Sequence, residues 1–215
     1  MTATTTTTTT TRPGEPYDNG PPAGAVLAVV GVAFDDVLEV RSLPDEGEDV
    51  VTTLAPLADD VVATGRARYV ESSFWFEVTA NGATGWANPA FLAYLGDTRD
   101  TTAAVVAELG GVPTAASMLE LGGILAAAAA SVDDPVSRVT VTVAPSEDGD
   151  LGEVTYDVVG LPDDSVVGVR LHVFGTPTDA DLPRSAFRQA SAFTLKTVES
   201  TTLCGRGVTP DGLCV

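Results

Sequence analysis

The sequence predicts a small all-β barrel followed by an α+β domain, in which two helices pack on an antiparallel sheet of about four strands. Three observations predict this. Between Ala25 and Leu95, short Val-rich runs are split by Gly, Pro, Asp and Asn, the rhythm of a small barrel or sandwich. Between 96 and 131, two segments carry apolar residues at helical spacing. Beyond 138, apolar and polar residues alternate again, as they do along a half-buried strand.

Taken in order, residues 1–24 (MTATTTTTTTTRPGEPYDNGPPAG) are low-complexity Thr, Pro and Gly. Little apolar surface is available there to offset the entropy of ordering, so the segment reads as a disordered tether. Residues 25–95 form the first domain. Its strands are AVLAVVGVAF, VLEVRS, DVVTTLA, DVVATGR, FWFEVTA and GATGWAN. Asn81-Gly82 predicts a tight hairpin, because a type I′ turn needs positive φ at both central residues. Gly85 allows close backbone approach, and Trp86 adds bulk to a core poor in aromatics.

Residues 96–215 form the second domain. DTRDTTAAVVAELGG reads as a short helix capped by Asp100 or a neighbouring Thr, with Val105, Val106 and Leu109 as its stripe. PTAASMLELGGILAAAAASVDD reads as a second helix. Ser117 and Glu120 fit a capping box, and Met118, Leu121, Leu125 and Ala128 share a face. Gly122 and Gly123 each cost about 1 kcal/mol relative to Ala, which close packing on a sheet would offset. Four strands follow. Val139, Val141 and Val143 point one way. Val154, Tyr156 and Val158 pair with Val167, Val169, Leu171 and Val173 across a hairpin, and Phe193 and Leu195 face inward on the last strand.

Cys204 and Cys214 lie close together in a turn-rich segment, which favours a disulfide in an oxidising compartment. Two free thiols are the alternative. A two-cysteine metal site fits poorly, because His172, the one histidine, lies well upstream.

The net charge is −19, and it is spread rather than held in a tail: residues 25–95 carry eleven acids and three bases, residues 96–215 seventeen and seven. This argues against a nucleic-acid partner and an anionic membrane surface, both of which need a basic footprint. No apolar run is long enough to span a bilayer. Met1 leads straight into threonines with no basic and apolar regions. An extracytoplasmic protein would therefore be secreted or anchored, as a lipoprotein for instance, through a signal missing from this chain.

The order of motifs in the first domain resembles the bacterial SH3 (SH3b, SH3 type 3) family. Its opening signature, roughly Leu-Asn-Val-Arg-Ser-Gly-Pro, appears as Leu38, Glu39, Val40, Arg41, Ser42, Leu43 and Pro44. Its closing signature appears as Trp75, Val78, Asn81-Gly82, Gly85-Trp86-Ala87 and Phe91-Leu92. Glu39 and Leu43 depart from the family pattern at the entry to one loop. The resemblance covers about a third of the chain. It implies an SH3-like barrel and binding of cell wall, protein or peptide.

Catalytic patterns are sparse. The chain has no Gly-x-Ser-x-Gly elbow, phosphate loop or His-Glu-x-x-His. His172 falls opposite the Val/Leu face of its strand. The pairs Asp35-Asp36, Asp59-Asp60, Asp133-Asp134 and Asp163-Asp164 flank β runs, where turn chemistry explains them. Residues 146–153 (SEDGDLGE) lack the order of a calcium loop. Neither cofactor nor metal is expected. The aromatics cluster in the first domain, and the expected ligand-binding residues are Asp45, Glu46, Tyr69, Trp75, Trp86 and Tyr94. The acidic surface would favour amine-bearing ligands.

The resulting expectation is a non-catalytic, extracytoplasmic binding protein of the bacterial cell envelope, whose SH3b module takes a peptidoglycan peptide or a protein partner. The alternative is an interaction or regulatory module acting through residues 96–215, with the barrel as spacer.

Overall fold

The computed structural model describes residues 13–148, 150–178 and 192–215. Thirteen strands and two α-helices lie among them. The first eight strands are β1 (Glu15–Pro16), β2 (Val26–Val29), β3 (Leu38–Arg41), β4 (Val50–Leu54), β5 (Val61–Val70), β6 (Ser73–Ala80), β7 (Ala83–Ala87) and β8 (Leu92–Asp100). A 3₁₀ turn, Pro89–Phe91, precedes β8. Then come α1 (Thr102–Glu108), β9 (Thr114–Ala115), α2 (Met118–Ala129), β10 (Arg138–Asp148), β11 (Leu151–Val159), β12 (Val166–Pro177) and β13 (Phe193–Cys204).

All thirteen strands belong to one antiparallel sheet, ordered β10-β11-β12-β13-β8-β2-β5-β6-β7-β3-β4, with β1 beside β5 and β9 beside β13. This overturns the expected fold class. There is no SH3-like barrel followed by a separate α+β domain with its own four-stranded sheet. The physical cause is β8, which runs straight across the domain boundary expected at Leu95. Its start pairs with β2 (Val29↔Leu92, Ala28↔Ala93), and its continuation pairs with β13 (Cys204↔Tyr94 through Glu199↔Asp100). Residues 96–100 look like a polar helix start, but β13 supplies Thr98, Arg99 and Asp100 with ladder partners. Gly96 fits there because a Cβ would lie 2.9 Å from the Gly212 carbonyl oxygen. Asp97 donates its N–H to that same oxygen at 2.8 Å.

A buried ion pair reinforces the junction. Asp157, on β11, is fully buried. It accepts from Arg170 Nε at 2.7 Å, from Arg170 Nη2 at 2.9 Å and from the Gly31 N–H at 2.8 Å. Arg170 Nη2 also donates to the Val29 carbonyl at 2.8 Å. Asp157 and Arg170 thereby hold the end of β2. Val30, Ala93 and Leu203 form a small apolar cluster at the same seam.

Local signals place most elements. Asn81 (φ 52°) and Gly82 (φ 75°) make the two-residue turn between β6 and β7. A Cβ on Gly85 would lie 2.5 Å from the Arg41 carbonyl oxygen, the close approach that its position suggests. Ser117 caps α2, with its Oγ accepting the Glu120 N–H at 3.1 Å, while the Glu120 carboxylate accepts the Ala116 N–H at 3.0 Å. Thr102 N donates to Asp100 Oδ1 at the start of α1. Met118, Leu121 and Leu125 bury against Val154, Tyr156, Leu171, Val173 and Val198. A second core gathers Leu27, Val29, Val40, Leu54, Val61 and Val78.

Two expectations fail locally. Val139, Val141 and Val143 do not share a face. The register shifts between Val141, opposite Tyr156, and Val143, opposite Thr155. A bulge of this kind sends the following side chain to the other side. Of the expected tether, residues 1–12 lie outside the described residues. Residues 13–24 run along β5: Glu15 and Pro16 pair with Tyr69 and Arg68, and Tyr17 N donates to the Ala67 carbonyl.

Candidate binding cleft

An open cleft of about 930 Å³ is lined by parts of β2, β6 and β8. Five pieces of chain build it: the segment after β1 (Tyr17, Asn19), β2 (Leu27), the β5–β6 hairpin (Ser72, Phe74, Phe76), the 3₁₀ turn with β8 (Asn88, Tyr94), and the turn after β13 (Gly205, Arg206). The aromatic side is cross-braced. The Tyr17 and Phe74 rings lie 4.5 Å apart, and the Tyr69 ring lies 4.9 Å from Phe74, tilted at 46° to it. The hairpin that carries Phe74 turns at Glu71 (φ 55°) and Ser72 (φ 117°). Positive φ in two successive non-glycine residues is unusual, and Ser72 stands on the cleft lip.

Asn88 caps the 3₁₀ turn through its side-chain carbonyl, which accepts the Ala90 N–H at 3.0 Å and leaves its NH₂ as a donor. Arg206 donates Nη2 to Asp164 Oδ2 at 2.7 Å, and both side chains are largely exposed. Tyr94 is only 9% exposed. Its hydroxyl is the one buried side-chain polar atom among the described residues with no hydrogen-bond partner. Burial holds its pKa above the ordinary tyrosine value, so the phenol keeps its proton.

The expected ligand residues scatter. Tyr94 lines the cleft, and Tyr69, 44% exposed, braces it through Phe74. Trp75 and Trp86, at 4% and 1% exposure, are core residues rather than ligand surface. Strand alternation across Phe74-Trp75-Phe76 does leave one side less buried, but that side carries the two phenylalanines. Asp45 and Glu46 sit in the β3–β4 loop and do not line the cleft. Asp45 Oδ1 accepts the Gly47 N–H at 2.7 Å, ordinary turn chemistry.

Tyr17, Asn19, Phe76, Asn88 and Arg206 were missed by sequence reasoning. One available signal was Tyr17, the lone aromatic in the Thr/Pro-rich segment.

Cys204 and Cys214 form a disulfide, with Cα atoms 5.2 Å apart. The bond closes the loop that presents Gly205 and Arg206 to the cleft. No helix among the described residues is long and apolar enough to cross a membrane.

A smaller hollow of about 440 Å³ lies on the sheet face opposite α2. His172 Nε2 stands 3.6 Å from Glu153 Oε2, and the imidazole packs on Phe174 with centroids 4.3 Å apart. Glu199 sits across the ladder from His172. Asp163, in the β11–β12 turn, accepts from the Val166 N–H, the Ser165 N–H and the Ser165 hydroxyl, which lowers its pKa. Compared with protein-family models, curated proteins and solved structures, the chain matches none.

Proposed function

We propose that this chain is a non-catalytic binding protein of the cell envelope, working outside the cytoplasm and holding a wall peptide or a protein segment in the cleft. The observation that carries this is an open cleft walled by Tyr17, Phe74 and Phe76 with the donors of Asn88 and Arg206 among its lining. Apolar walls with a few placed polar groups are what small-ligand and peptide sites share. The Cys204–Cys214 bond supports an oxidising compartment, where such bonds persist. The resemblance of residues 38–92 to bacterial SH3 modules supports a binding role at the level of motif.

The alternative, a C-terminal interaction module with a barrel as spacer, loses support because β8 makes the two parts one sheet.

Retention on purified peptidoglycan at low and high salt tests the reading. The full chain is retained, and Phe74→Ala, which removes an aromatic wall without touching the core, is released. No retention of the wild-type chain at either salt concentration removes the wall as ligand.

A further inference from the structure

The cleft's charge and donor set narrow the ligand, given the binding role proposed above. We propose that the cleft reads the free carboxylate end of a peptide chain. The protein carries 30 acids and a net charge of −19. Yet no acid stands among the described residues that line the cleft, and Arg206 is its one charged lining residue. On a strongly acidic molecule, this is a place where a negative group is admitted.

The polar groups agree. Arg206, Asn19, Asn88 and Ser72 all offer N–H or O–H donors. An ionised carboxylate only accepts, and it takes guanidinium donors two at a time. Asp164 engages Nη2 of Arg206, which leaves Nε and Nη1. Phe74, Phe76 and Leu92 supply apolar surface for the side chains that precede the terminus.

A glycan suits the site less well. Its hydroxyls donate as well as accept, and side-chain carboxylates are the natural acceptors for them; here there are none. An amine-bearing ligand, expected from the overall charge, suits it least.

Calorimetric titration of the full chain tests this with acetyl-trialanine and acetyl-trileucine, each as free acid and as C-terminal amide. At least one free acid binds, and its amide binds about tenfold more weakly, the order of one charge-assisted hydrogen bond. Arg206→Gln erases most of that gap. Equal affinity for acid and amide, or an unchanged gap in Arg206→Gln, overturns the proposal. Failure of all four peptides, with retention on peptidoglycan or binding of chitin oligosaccharides intact, also overturns it and leaves the binding role standing. Failure of the peptides together with loss of wall retention ends both readings.

Discussion

Asp157→Ala tests whether the continuous sheet behaves as one cooperative unit. The carboxylate is fully buried and takes three hydrogen bonds, two from Arg170 and one from the Gly31 backbone. Removing it strands a guanidinium that is itself nearly buried, and it orphans the Gly31 N–H. Breaking a buried pair from one side costs about 3–5 kcal/mol. A domain's whole stability is roughly 5–15 kcal/mol, so the variant still folds in water but with little margin. With a urea slope of about 2 kcal/mol per molar, the midpoint falls by about 2 M. Both tryptophans, Trp75 and Trp86, lie N-terminal to β8, whereas Asp157 lies on β11. Urea titrations followed by tryptophan fluorescence and by far-UV circular dichroism should therefore shift together. Replacing both partners, Asp157→Leu with Arg170→Met, should recover part of the loss, because apolar residues often substitute for a buried pair at small cost. The reasoning is refuted if the fluorescence midpoint stays in place while the dichroism midpoint moves. It is equally refuted if Asp157→Ala costs less than about 1 kcal/mol.

Three further outcomes follow from the same geometry. Gly122→Ala places a methyl 2.5 Å from Tyr156 Cε2 and 2.7 Å from Val154 Cγ1, and should destabilise by about 1–3 kcal/mol. Gly123→Ala meets only Tyr156 Oη, at 3.7 Å, and should stabilise by up to about 1 kcal/mol through helix propensity, so equilibrium unfolding should give the two variants opposite signs. Replacing Cys204 and Cys214 together by Ser should lower stability by about 3 kcal/mol, the loop-closure value for a ring of this length. It should also weaken ligand binding, since Arg206 sits inside that ring.

Burial raises the pKa of Tyr156, whose hydroxyl donates to the Leu119 carbonyl at 2.7 Å, and that of Tyr94. A folded-state pKa above the unfolded one gives stability that is whole below the unfolded value, near 10.0, and is lost as pH climbs through the folded value. Melting temperatures should hold to about pH 9 and fall above about pH 10, with a shallower fall in Tyr156→Phe.

What could be read from the sequence was what is decided locally. The turn at Asn81-Gly82, the cap formed by Ser117 and Glu120, and the single face of Val154, Tyr156 and Val158 each depend on residues a few positions apart. The contact between Gly122 and Tyr156 was legible only as a helix cost that packing had to offset.

What escaped depends on partners far along the chain. Residues 96–100 carry no apolar alternation, and only the register with β13, about a hundred residues on, makes them a strand. Thr142 sits at a bulge, which no period of two reveals. Asp157 reads as the polar side of a strand, while the arginine that neutralises it and the backbone they grip lie on other strands. Tyr17 was hidden by the Thr/Pro composition around it, and the tryptophans drew attention because they are rare. In the cleft the site residues were half legible: Tyr94 and the exposed side of β6 were in view, whereas Arg206 belongs to a loop that sequence reasoning used only for its cysteines.

The cleft joins Tyr17 to Arg206, residues separated by nearly all of the described chain, across strands from its middle. A polypeptide still emerging from the ribosome has one lip and a floor but no opposing lip. The proposed recognition would therefore begin only after synthesis has passed the final strand and would strengthen once the sulfurs have joined, so ligand capture would serve as an assay for a fully matured molecule.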